Sequence, residues 1–274
     1  MKFTIQDTTK AQQYIELFKI IKHLNSYTTI CSQNDKLFIQ IMDESHVCLF
    51  NASLEDSWFE TYESDGETFS FMSTIMVKIL QLYVANATIS FQTNDEKLAI
   101  TFEYEDKTEK IFELNLIDID KDLLDSQHIE GSVEFEMSTK VFDKYISEMM
   151  LFGDSAEIIC HQDNLYLKSS GDQGKYTLKL PYTVLNELQI EEDLQLKTRI
   201  SLKYISYITK SHGVFKNIKF HIEKDVPLFL EIKEPGFELH YYIAPKINDD
   251  EQDEDVDYSE FETDDYTHLE NKVL

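Results

Sequence analysis

Thr9-Lys10-Ala11-Gln12-Gln13-Tyr14-Ile15-Glu16-Leu17-Phe18-Lys19-Ile20-Ile21-Lys22-His23-Leu24 is the stretch on which the reading of the fold turns. Ala11, Tyr14, Ile15, Phe18 and Ile21 recur at helical spacing, with Gln12, Glu16, Lys19 and His23 on the opposite face. Helical stretches are few. A second runs from about Ser73 to Tyr83, and a third from Ser138 to Leu151, burying Val141, Phe142, Tyr145, Ile146 and Met149. A fourth, Ser201 to Ser211, turns Leu202, Ile205 and Ile208 to one side.

Between them the chain alternates apolar and polar residues in short runs, the pattern of half-buried strands. Lys36–Ile41, Thr88–Phe91, Lys97–Phe102, Asn164–Lys168 and Asn217–Ile222 all read this way. The order is strand, helix, several strands, helix, several strands, once in each half. Thr9 and Thr139 open equivalent helices, and Thr74 and Ser201 open the second pair. That spacing predicts two copies of one α+β unit. The join is expected in Ile117 to Gly131, after a strand over Lys110 to Leu116.

The chain has 274 residues, 42% of them hydrophobic, with only 7 glycines and 4 prolines, enough apolar material for a large core. Its net charge is −27. Residues 248–274 hold twelve Asp and Glu against one lysine, so a disordered acidic tail is expected there. Such a balance should repel nucleic acid, were the basic residues evenly spread. They are not. From Leu194 to Ile222 there is no acidic residue, while Lys197, Arg199, Lys203, Lys210, Lys216 and Lys219 all fall inside. Lysines suit phosphate contacts that ignore base sequence.

Cys31, Cys48 and Cys160 are far apart and form no CxxC pair, which argues against a disulfide framework or a thiolate zinc site. The N-terminus lacks a signal-peptide core and no apolar run approaches the ~18 residues that span a bilayer. A cytosolic or nuclear protein is expected, and the sequons at Asn51 and Asn86 read as chance. No HExxH, GxGxxG or GxSxG is present, and the eight histidines show no ligand spacing. Gly171-Asp172-Gln173-Gly174-Lys175-Tyr176-Thr177 is better read as a hairpin turn than as a phosphate loop. The expectation is no catalytic residue, no metal and no cofactor.

Particular segments then point to a family. Ile41-Met42-Asp43-Glu44-Ser45-His46-Val47-Cys48-Leu49 resembles the Met-Asp-x-Ser-His-Val-x-Leu segment of the proliferating cell nuclear antigen family, the eukaryotic sliding clamps. Asp225-Val226-Pro227-Leu228 and Tyr241-Tyr242-Ile243-Ala244-Pro245-Lys246-Ile247 resemble that family's C-terminal strand and its Ala-Pro-Lys ending. Phe152-Gly153-Asp154 and Lys203 to Lys210 fit in register. The residues between diverge, as in a remote or viral-type member.

The resemblance implies a DNA-clamp fold: two similar α+β domains, 1–117 and 132–247, joined by a connecting loop 118–131 and followed by the tail 248–274. Helices would line a ring, usually of three subunits, with antiparallel sheets outside. It implies a DNA polymerase processivity factor that holds duplex DNA topologically and tethers polymerase, clamp loader and repair proteins, in the nucleus or a viral replication compartment. Lys10, Lys19, Lys78, Lys144, Lys203 and Lys210 would face DNA. A front pocket would comprise Met42, His46, Val47, Leu49, Pro227, Tyr242, Ala244 and Pro245, with Leu123 or Leu124 as a wall. It would take a glutamine, an aliphatic residue and paired aromatics, and the tail beside it would favour basic flanks. Strands carrying Phe112 and Leu114, and Tyr176 and Leu178, would pair between subunits. Gln12, Gln13, Gln81 and Ser147 stand where such clamps carry basic residues, so weak direct DNA affinity is expected. Gln162 replaces the lysine used for ubiquitin signalling, and Asp118 to Gly131 lacks the family's Ile-Pro pair. The alternatives are a checkpoint-type clamp subunit in a DNA-damage heterotrimer, an acidic DNA mimic or histone-binding protein, and a small-molecule enzyme.

Overall fold

The computed structural model describes residues 1–246 apart from 95, 120–122, 127, 162 and 192–193. The acidic tail and the Gln162 substitution therefore lie outside the described residues. In the first half the order is β1 (Lys2–Ile5), α1 (Thr8–Leu24), β2 (Tyr27–Ser32), β3 (Lys36–Met42), β4 (Cys48–Glu55), a 3-10 turn at Asp56–Trp58, β5 (Thr61–Glu63), β6 (Thr68–Met72), α2 (Ser73–Leu80), β7 (Thr88–Asn94), β8 (Lys97–Glu103) and β9 (Glu109–Asn115). The second half repeats it element by element. It runs β10 (Val133–Ser138), α3 (Thr139–Met149), β11 (Ser155–His161), β12 (Asn164–Gly171), β13 (Gly174–Pro181), a 3-10 turn at Tyr182–Val184, β14 (Asn186–Ile190), β15 (Leu196–Ser201), α4 (Leu202–Thr209), β16 (Asn217–Ile222), β17 (Leu228–Glu234) and β18 (Phe237–Ile243).

The sheets repeat as well. β5-β1-β7-β8-β9 is matched by β14-β10-β16-β17-β18, and β6-β2-β3-β4 by β15-β11-β12-β13. The two halves are welded where β18 pairs antiparallel with β4, from Phe237↔Leu54 to Ile243↔Cys48. This makes one nine-stranded sheet, β14-β10-β16-β17-β18-β4-β3-β2-β6. Alternation sets which side is buried: Phe237, Leu239, Tyr241 and Ile243 face inward beside Leu54, Ala52, Phe50 and Cys48. The rings of Phe50 and Tyr241 meet edge-on at 5.1 Å across this junction.

The helices pack in a row, α2–α1–α4–α3, on one side of the sheets. Asp7 caps α1 by accepting the Lys10 backbone N–H at 2.9 Å, and Lys22 occupies its last turn, where a cation suits the helix dipole. α3 corrects the sequence reading. Phe142, Ile146 and Met149 are buried, but Tyr145 is half-buried and Val141 is 42% exposed. The helix covers its sheet with a stripe narrower than the five apolar residues suggested. The hairpin reading of Gly171–Thr177 holds: Gly171 pairs with Gly174 at the β12–β13 turn, and Phe152's backbone packs so close to Gly171 that a side chain there would collide.

Tyr14 is wholly buried among Phe3, Phe18, Trp58 and Phe91, with centroids 5.0 to 6.5 Å away. Burying such a ring contributes about 1.5–3 kcal/mol. Its hydroxyl, however, has no hydrogen-bond partner among the described residues, and burial pushes its pKa far up. An unpaired buried hydroxyl costs about 1 kcal/mol or more. Tyr14→Phe is therefore expected to raise unfolding free energy by about 1 kcal/mol in urea titration. A loss of stability would show that the hydroxyl is satisfied.

Candidate functional site

The β3–β4 connection is built around one carboxylate. Asp43 is 4% exposed and accepts the backbone N–H groups of Ser45 at 3.0 Å, Val47 at 2.7 Å and Cys48 at 2.7 Å. These bonds hold the turn in which His46 adopts φ 59°, a left-handed conformation. The fourth donor is the Tyr204 hydroxyl of α4, 2.7 Å away in the other half. Burial alone would raise the Asp43 pKa. The Cys48 N–H, the Tyr204 hydroxyl and the other backbone donors overcome it and hold the carboxyl below its usual 3.8. Burial and the facing Asp43 carboxylate push the Tyr204 phenol up to about 12.

This turn and the end of β18, tied by Ala244 N–H to Val47 O at 2.8 Å, frame a cavity of about 400 Å³. Met42, His46, Val47, Leu49, Pro227, Tyr242 and Ala244 line it, seven of the residues expected from sequence. Tyr242 is braced by a stack on Phe229 at 4.8 Å. Pro245 follows Ala244 outside the lining. The connecting-loop wall is not Leu123 or Leu124, each 48% exposed, but Asp125, Ser126 and Ile129. The reason is local. Gln40 accepts the Leu124 N–H at 2.7 Å and donates to the Leu124 carbonyl at 2.9 Å, so Leu124 is held by its backbone. Asn51 donates to Ser126 Oγ at 2.7 Å, and on the second half His128 packs edge-on against His221 and Phe229. Gln40, Asn51 and His128 carry no apolar signal, so hydropathy did not single them out.

Behind Phe229 lies a histidine–carboxylate network. His221 Nδ1 is 2.7 Å from Glu134 Oε1, and His240 Nε2 is 3.4 Å from Glu231 Oε1. The imidazoles of His221 and His240, 3.9 and 3.4 Å from its oxygens, hold the Glu231 carboxyl far below its usual range. Among the described residues no group of three or more His, Cys, Asp or Glu is arranged to hold a metal ion.

The helical side has the opposite electrostatic character. α1 to α4 carry seven lysines and three carboxylates, in a chain with 25 basic and 52 acidic residues. Lys78, Lys203 and Lys210 are exposed, and Lys144 reaches Glu148 only at 3.8 Å. Lys19 pairs with Glu16 at 2.5 Å. Lys10 departs from expectation: its ammonium donates to the Trp58 carbonyl at 2.6 Å and lies 5.6 Å from that ring. Lys22 and Lys140 are exposed helical lysines that the sequence reading passed over. Spacing of three from Lys19 and four from Lys144 was the available signal.

Family models described as "Proliferating cell nuclear antigen, N-terminal domain" and "Proliferating cell nuclear antigen, C-terminal domain" match residues 7–128 and 127–246. The chain is 27% identical over 252 residues to the "Probable DNA polymerase sliding clamp 2" of Paramecium bursaria Chlorella virus 1, covering 89% of this chain and 91% of that protein. It is 25% identical over 250 residues to "Proliferating cell nuclear antigen 2" of Drosophila melanogaster, covering 88% and 97%. The solved proliferating cellular nuclear antigen of Entamoeba histolytica superposes with a TM-score of 0.79 at 22% identity, over 90% of this chain and 98% of that one, a likeness of fold.

Asp43 yields a pH-dependent expectation. Its pKa is depressed in the fold, so its contribution is present above pH ~4 and is lost as pH falls through the folded value. Wild type should be more stable than Asp43→Asn at pH 7, by about 1–3 kcal/mol, and the gap should close below pH 4. Parallel pH–stability curves would sink this role.

Proposed function

The chain belongs to the proliferating cell nuclear antigen family, and from that premise we propose that it is one subunit of a DNA polymerase sliding clamp, a ring of identical copies closed around duplex DNA. The observation that carries this is the internal repeat. Within the chain β18 pairs with β4. Their counterparts, β9 and β13, end their sheets with an outer edge that no strand pairs among the described residues. If the junction repeats, β9 of one copy joins β13 of the next, and three copies close six similar units. Exposed edges of this kind are usually blunted or covered. Here they are complementary. Glu109 and Glu113 stand exposed on β9, Lys175 and Lys179 on β13. Phe112, Tyr176 and Leu178 pack half-buried against the core and Leu114 is buried, leaving apolar edges for a neighbour to complete.

In such a ring the helical lysines face the hole. Binding there is sequence-independent, weak and strongly salt-sensitive, because it rests on lysines meeting phosphates. Topology, not affinity, retains the DNA. The cavity beside Asp43 is the docking site for replication proteins: apolar, open and clasped by the connecting loop. It suits a short segment that anchors an aliphatic residue and aromatics. This work belongs in the nucleus or a viral replication compartment.

Sedimentation of the purified chain should give three times the 32.2 kDa subunit mass. Phe112→Ala should shift dissociation to roughly tenfold higher concentration. Unchanged assembly at low concentration would remove β9 from the interface, and a chain that stays monomeric would favour a heterotrimeric, checkpoint-type subunit. Calorimetric titration of a glutamine-aliphatic-aromatic peptide should show at least about tenfold weaker binding to Leu49→Asp. Equal affinity would displace the docking site.

A further inference from the structure

The described chain ends at the foot of α4. The Lys246 N–H bonds the Arg199 carbonyl at 2.7 Å, and its ammonium bonds Asp154 at 3.0 Å. The Asp154 backbone carbonyl in turn accepts the N–H of Leu202, the first residue of α4, at 3.0 Å. Lys203 follows in that first turn. The described chain therefore ends beside the first turn of α4, which carries Lys203.

Close to that point α1 and α4 meet in a seam that carries Lys22, Lys203 and Lys210 against one exposed carboxylate, Glu44. His23 stacks on Tyr207 at 4.7 Å with an interplanar angle of 12°. Lys22, His23 and Lys203 line a polar cleft of about 200 Å³ together with Asp43, Glu44 and Tyr204. Lys210 is close enough that it and Lys22, after burial, lower the His23 pKa, an independent sign of positive potential. Asp43 is already committed to three N–H groups and a hydroxyl. Lys22, Lys203 and Lys210, like Lys78 and Lys140 on the neighbouring helices, have no ion-pair partner among the described residues, whereas Lys97, Lys107, Lys197, Lys219, Lys233 and Lys246 do. In a chain of net charge −27 a patch of unpaired lysines is unexpected unless its counter-charge lies elsewhere.

The missing counter-charge starts two residues beyond Ile247. Between Asp249 and Asp265 the sequence holds eleven carboxylates and no lysine or arginine. We propose that this acidic segment docks on the α1–α4 lysine seam and occupies it in competition with the DNA backbone. The inference rests on the reading that the helices face DNA. The tether holds the segment at an effective concentration in the millimolar range, on the order of that for short flexible linkers. At roughly 3.3 Å per residue it is long enough to run the length of α4 and past the end of α1. It thus screens the seam from nucleic acid met laterally, and it yields to a duplex threaded through the ring, which is equally local and more densely charged.

Zero-length carbodiimide cross-linking of the full chain, read by mass spectrometry, tests the contact without DNA. Carboxylates between Asp249 and Asp265 should join Lys22, Lys203 or Lys210 at low salt and cease to do so at high salt. Absence of these products, or products confined to strand-side lysines such as Lys219 and Lys224, overturns the proposal. In parallel, a full-length variant carrying Asp249→Asn, Asp250→Asn, Glu251→Gln, Asp253→Asn, Glu254→Gln and Asp255→Asn should bind a short linear duplex about tenfold tighter, with a steeper salt slope. Lys22→Ala with Lys203→Ala and Lys210→Ala should erase that gain. Unchanged affinity in the amide variant also overturns it. A chain that closes on DNA yet shows none of these effects loses only the tail contact. A chain whose tail cross-links to the seam but which never associates with DNA in either form loses the clamp reading instead.

Discussion

Everything else in this molecule depends on the antiparallel ladder between β4 and β18. Seven consecutive residue pairs, Phe237↔Leu54 through Ile243↔Cys48, join two copies of one architecture into a single sheet. Because the inward sides of both strands are apolar, a one-residue slip of β18 on β4 would turn Tyr241 outward while Phe50 stayed inward, so hydrophobic burial sets the register. The cavity straddles this ladder, with Met42 and Leu49 on one side and Tyr242 and Ala244 on the other. α1 packs on β3, next to that junction, and α4 packs on α1. The cavity and the lysine-bearing helices are thereby joined to one framework.

Asp43 stitches those two sides at a single point. Its carboxylate closes the turn beside the cavity and, through Tyr204, reaches the helix that carries Lys203. A buried carboxylate is tolerated there because four donors replace its water. Sequence position alone marks Asp43 only as a polar residue after a strand. Its importance comes from a partner 161 residues away.

Much of the architecture was legible in the chain. Period-two alternation marked the strands, and their repetition around Thr9 and Thr139 marked the duplication, because both patterns arise from burial of one side of an element. The cavity was legible through the resemblance carried by Met42 to Leu49 and Asp225 to Ile247. What could not be read were contacts made by polar side chains across long separations. Gln40 turns Leu124 into a backbone ligand, Trp58 claims the Lys10 ammonium, and Ser126 and Ile129 replace the expected leucines as a wall. Val141 was misread because five apolar residues on one helix exceed what the sheet beneath α3 can cover. Hydropathy states what a residue prefers, and packing decides which preferences are met.

The β4–β18 junction also sets a timetable for synthesis. β4 is complete once residue 55 has been made, but its partner strand ends at residue 243. At the usual rates of about 5–20 residues per second, that edge waits roughly 10–40 seconds for its pairing strand. Until then a nascent first half displays a bare, largely apolar strand at the edge of its sheet, open to pairing with another chain. The final step of folding is thus a closure over long sequence separation, slow by its loop entropy. The molecule is most exposed to misassembly during the interval when its last strand is still inside the ribosome.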